Sequence, residues 1–115
     1  MNKENETSAW QAVCSLDDIL PNTGVCALVN NKHVAVFHVD NDGPQLYAID
    51  NYDPNSQASV LSRGLVGSLG ERIVVASPIY KQHFDLKSGE CLEAPENSVN
   101  AYSVRLDGEQ IWIAA

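Results

Sequence analysis

The 115-residue sequence contains no apolar run approaching the ~18 residues that a membrane-spanning helix requires. Its first residues, Met1 to Ser8, are polar and lack the apolar centre of a secretory leader. Positive charge is scarce: seven Lys and Arg stand against fifteen Asp and Glu, a formal charge of −8. The seven are scattered, so the clustered cations that a phosphate backbone demands are missing. The same balance disfavours an anionic membrane surface. Cysteine is sparse too. Cys14, Cys26 and Cys91 are odd in number and form no Cys-x-x-Cys pair. That points to reduced thiols in the cytoplasm, two of them serving as small core residues. The sequence also offers no phosphate-binding glycine loop, no Ser-His-Asp order and no metal-ligand cluster. Gly64, Gly67 and Gly70 read as turn punctuation.

What the sequence does contain is a series of short apolar segments closed by turn residues. Trp10 to Ser15 reads as a first strand, and Ser15 can cap one helical turn whose start carries Asp17 and Asp18. Val25 to Val29 and His33 to Val39 form a hairpin about Asn30-Asn31-Lys32, since Asn tolerates positive φ. Asp40 to Pro44 is a second turn; it lacks the glycine spacing and closing glutamate of a calcium loop. Leu46 to Ile49 is a strand that leads into a Pro54-containing loop. Arg63-Gly64-Leu65 and Val66-Gly67-Ser68 suggest tight turns and a short strand. Ile73 to Ala76 is a buried strand leading into a Pro78-containing loop, and His83 to Leu86 is its return. Tyr102, Val104 and Leu106 alternate with polar residues, and Ile111 and Ile113 share one face of a final strand. Strands at this spacing, without a long amphipathic helix, specify an all-β sandwich or barrel in one domain over residues 10–115, preceded by a flexible tail at 1–9.

The two proline loops carry a family likeness. Asp53-Pro54-Asn55 follows one strand, and Ser77-Pro78-Ile79-Tyr80 follows another, with Phe84-Asp85-Leu86 and Ser88-Gly89-Glu90 as exit strand and turn. In this order and spacing, nearly the whole chain resembles a Rieske-type iron–sulfur domain, an antiparallel β-fold with a two-loop cluster-binding subdomain. Such domains hold their cluster through Cys-x-His in one loop and Cys-x-x-His in the other. Here Asp53 and Asn55 stand at the first pair of positions, and Ser77 and Tyr80 at the second. A Rieske cluster needs two thiolates on one iron and two imidazoles on the other. The expectation is therefore a domain without a cluster, metal or catalytic residues. His33 and His38 are five apart on one strand and face opposite ways, and His83 stands alone. Tyr52, Ile79 and Tyr80 are bulky enough to fill the vacated site, so side-chain packing and hydrogen bonds are expected to replace the cluster, and Pro54 and Pro78 stiffen the loops.

A short, acidic, stand-alone chain of this kind resembles the small subunit of bacterial NADH-dependent assimilatory nitrite reductase. The resemblance implies a partner, the large subunit, carrying FAD, an iron–sulfur cluster and sirohaem and reducing nitrite to ammonium. It implies a cytoplasmic, non-redox subunit of an oxidoreductase, with no nucleic-acid or membrane partner. The loop tip, Tyr52, Asp53, Asn55, Ile79, Tyr80 and Lys81, is the candidate docking surface. Two other readings remain: a free-standing interaction module on the same scaffold, and a Rieske-type ferredoxin of a dioxygenase system, which would need the absent Cys and His.

Overall fold

A computed structural model describes residues 10–115; the tail expected at 1–9 lies outside the described residues. Eleven strands and three single 3-10 turns make up the described residues: β1 (Trp10–Ser15), β2 (Thr23–Val29), β3 (Lys32–Asp40), β4 (Pro44–Asp50), β5 (Tyr52–Asp53), β6 (Ala58–Ser59), β7 (Leu65–Leu69), β8 (Arg72–Ala76), β9 (His83–Asp85), β10 (Ala101–Asp107) and β11 (Gln110–Ala114). Six strands form an antiparallel sheet in the order β1-β11-β10-β4-β3-β2. Its two edges are drawn together by Asn30, whose backbone N–H donates to Gln11 Oε1 and whose Nδ2 donates to the Ala115 oxygen at 2.7 Å. The sheet is thus a nearly closed barrel. A three-stranded sheet, β7-β8-β9, and a two-stranded one, β5-β6, complete the fold.

β3 explains why one chain builds two cores. Its central residues, Val34-Ala35-Val36-Phe37, are buried on both faces, as continuous apolar strands are when each side is covered. Val34 and Val36 face the barrel interior with Ile19, Val29, Ala48, Ile111 and Ile113. Ala35, Phe37 and Val39 face the other way, toward Leu61, Val75, Phe84, Leu86 and Cys91. The small sheet therefore packs on the outside of the barrel across β3. Gly24, paired with Phe37 on the neighbouring strand, leaves room for that ring, which a Cβ would meet at 2.6 Å.

The turns obey local chemistry. Ser15 caps the turn Leu16–Asp18 in a reciprocal capping box with Asp18. Asn30 and Asn31 both hold positive φ at the β2–β3 hairpin. One expected turn is corrected: Val66-Gly67-Ser68 lies within β7, paired with Ile73, Val74 and Val75 of β8. Gly67 lacks a side chain but keeps an extended backbone, and the turn falls instead at Gly70, with φ 64°.

Candidate functional site

Both proline loops issue from strands fixed by polar anchors. At the root of the first, Asp50 accepts from Asn100 N at 2.9 Å and from Tyr102 Oη at 2.5 Å. Burial and then the Asp50 carboxylate push the Tyr102 phenol up to about 12. Asn51, buried, donates to Cys26 Sγ and accepts from Ser62 N at 2.7 Å, which ties the root to β2 and to the turn Leu61–Arg63. Loop 1 (53–58) then closes the β5–β6 hairpin, with Gln57 in the left-handed region. Loop 2 (77–82) joins β8 to β9. Ser77 N donates to the Gln82 carbonyl, Lys81 N to the Ser77 carbonyl, and Ile79 N to Ser77 Oγ.

The two loops meet through Asp53 and Ser77, two of the positions that the sequence resemblance matches to cluster ligands. Asp53 is 0% exposed and Ser77 1%, and Ser77 Oγ donates to Asp53 Oδ2 at 2.5 Å. Ser56 Oγ donates to the same oxygen, while Asn55 donates to Oδ1 through its backbone N–H and Nδ2. Burial opposes ionisation of Asp53, but the hydrogen bonds from Ser77, Ser56 and Asn55 outweigh it and hold the carboxyl below its ordinary value. Asn55 extends the network: its Oδ1 accepts from Asn97 Nδ2 at 2.7 Å, and its Nδ2 lies 3.8 Å from Cys91 Sγ.

Sequence reasoning missed the roles of Ser56, Cys91 and Asn97. Cys91 is buried in the core and lies beside loop 1. No spacing signal connects Asn97 to Asn55 across forty-two positions. His83 finds Glu93, with Nδ1 at 2.6 Å from a carboxylate oxygen. Asp50, Asp53 and Asp85 do not gather; each has its own partners, Arg72 in the case of Asp85.

Of the side-chain packing and hydrogen bonds expected between the loops, the packing by Tyr52, Ile79 and Tyr80 is corrected. Tyr52 is 45% exposed, Ile79 45% and Tyr80 61%. The space between the loops is taken by the polar network instead, because Asp53 and Ser77 are short enough to bond directly. Of the six tip residues, Asp53 is buried and Asn55 half-buried, while Tyr52, Ile79, Tyr80 and Lys81 are exposed. Loop 2 also carries unfavourable features. Lys81 holds φ 66°, a left-handed conformation that costs a side-chain-bearing residue ~1 kcal/mol or more. Gln82 Oε1 is buried without a hydrogen-bond partner, at a cost of ~1–3 kcal/mol.

As a donor set, Asp53, Asn55, Ser77 and Tyr80 offer carboxylate, amide, hydroxyl and phenol. They do not fit an iron–sulfur cluster that takes thiolate and imidazole, and Asp53 and Ser77 bond directly to each other. Among the described residues no group of three or more His, Cys, Asp or Glu is placed to hold a metal ion. No helix among them is long and apolar enough to cross a membrane.

Comparison with known proteins gives the same lineage. The family model of the Rieske-like [2Fe–2S] domain matches residues 9–114. The small subunit of NADH nitrite reductase from Salmonella typhimurium is 48% identical over 102 residues, covering 86% of this chain and 91% of that protein. The solution structure of the nitrite reductase [NAD(P)H] small subunit from Erwinia carotovora superposes with a TM-score of 0.79 at 50% identity, covering 94% of this chain and 82% of that one. A nitrite reductase [NAD(P)H] large subunit from Klebsiella oxytoca is 39% identical over 104 residues, which are 90% of this chain but 11% of that protein.

Proposed function

The chain belongs to the Rieske-like [2Fe–2S] domain family and, within it, to the small subunits of NADH-dependent nitrite reductase, an oxidoreductase; from that premise we infer that it works by contact, as a cluster-free subunit docking on the large subunit through its loop tip. The observation that carries this reading is the Asp53–Ser77 bond, which joins the two loops where a metal centre would otherwise join them. The tip above that bond exposes Tyr52, Ile79 and Tyr80 together with Lys81. Large exposed side chains such as these are what partners cover, and tyrosine is enriched at interface hot spots.

The Klebsiella oxytoca relative supports the same partner. There a segment like this chain lies within a protein named a large subunit, so domain and large subunit share one polypeptide. An electron-carrying role is the weaker reading, since all four ligand positions hold side chains of the wrong chemistry.

The test is co-purification with the large subunit, followed by a nitrite-reduction assay with and without this chain. Association and a change in turnover or in assembly of the large subunit are expected. The combined substitution Ile79→Ala with Tyr80→Ala should weaken association by tenfold or more, about the loss on truncating one or two interface anchors. Unchanged binding by that variant would remove the tip from the interface.

A further inference from the structure

Resting on the docking role above, we propose that Asp53 and Ser77 are positioning residues for the interface: their buried cross-loop hydrogen bond presets loop 2 in the shape that meets the large subunit. Three observations carry this. First, the closing bonds of loop 2 converge on one residue. The Ser77 N–H reaches Gln82, its carbonyl receives Lys81, and its hydroxyl oxygen receives the N–H of Ile79, one of the exposed apolar residues. Second, loop 2 is held in a conformation that local preference opposes, with Lys81 left-handed and Gln82 Oε1 unpaired and buried. Such features persist where the surroundings over-determine them. Third, the Ser77 hydroxyl donates to Asp53, which Asn55 and Ser56 fix from loop 1 and which Asn97 reaches through Asn55. A continuous run of bonds therefore passes from the segment after β9, through both loops, to Ile79.

The partner surface that this tip fits is an apolar recess for Ile79 and Tyr80, with an acidic or carbonyl group at its edge for Lys81 and the Tyr80 hydroxyl. Docking of a preset loop avoids the ordering cost of a floppy one. If the latch is released, only a fraction of molecules presents the right shape, and the apparent Kd rises by the inverse of that fraction.

The experiment is a double-mutant cycle on association of the full chain with the purified large subunit. Ser77→Ala should weaken association about tenfold at a temperature where the variant is folded by circular dichroism. In a background of Ile79→Ala with Tyr80→Ala, the same change should matter less than about twofold, because Ser77 acts through those side chains. Should Ser77→Ala fail to fold, Asp53→Asn, of equal size, takes its place in the cycle with the same expected loss. Wild-type affinity for the latch variant, or an equal loss in both backgrounds, overturns the inference while leaving the docking role intact. Tip substitutions without effect overturn both.

Discussion

Replacing Asp53 with Ala gives the sharpest test of what the polar network contributes to stability. The carboxylate accepts four hydrogen bonds: from Asn55 N, Asn55 Nδ2, Ser56 Oγ and Ser77 Oγ. Truncation leaves the Ser77 hydroxyl, 1% exposed, without its acceptor, and an orphaned buried donor costs ~1–3 kcal/mol. The Asn55 and Ser56 donors are only half-buried, so water compensates much of their loss. Their remaining share is ~1 kcal/mol together, and removal of a buried charge returns part of the total. The net expectation is a loss of ~2–3 kcal/mol at pH 7. At roughly 4–8 °C per kcal/mol for a domain near 100 residues, the Tm falls by about 10–20 °C. Urea unfolding should show a lower midpoint with an unchanged slope. The folded pKa of Asp53 lies below its unfolded value near 3.9. Its stabilisation is therefore complete above that unfolded value and is lost as pH falls through the folded one. Wild type and variant should converge in acid. A loss under about 0.5 kcal/mol at pH 7, within the range of an ordinary surface substitution, would refute the reasoning, as would a gap that stays constant down to about pH 2.

Tyr102→Phe removes the donor to Asp50 at the root of loop 1 and should cost ~1–2 kcal/mol in urea unfolding. It should also delete the phenol that ionises at about 12 in an alkaline absorbance titration. Because that folded pKa is raised, the stability it contributes is present below the unfolded value near 10 and fades as pH rises through about 12. Gly89→Ala should be severe, by ~2–4 kcal/mol: φ is 84°, and a Cβ there would run into the Val99 carbonyl oxygen. Thermal unfolding of that variant reports the loss, and a wild-type Tm would contradict the packing described at that turn.

The fold was legible because period-2 patterning and turn residues state their meaning locally. Asn30-Asn31 announces a hairpin through its tolerance of positive φ, and Ile111 with Ile113 announces an inward face. Gly67 misled because glycine is read as punctuation when no partner strand is in view; only the pairing with β8 reveals its extended role. β5 and β6, of two residues each, are too short for any period to register. The sequence pointed to two proline loops, and not to the hydrogen-bond network that joins them. Nothing in the sequence says that Asp53 turns inward to Ser77 while Tyr80 turns out, since both are polar residues in a proline loop. Burial is decided by which partner lies within reach, and Asn97 and Cys91 come within reach only through the turn Pro95–Asn97 and the Phe84–Cys91 bridge.

The proposed role requires that a hydrogen-bonded carboxylate, and not a metal centre, joins the two loops. Quantifying iron and acid-labile sulfide in the chain, produced in cells competent to assemble such clusters, tests it most directly. A colourless protein with neither element above background, its loops intact, is the expected result. Stoichiometric iron and sulfide, with the spectrum of a cluster held between loops 1 and 2, would contradict it.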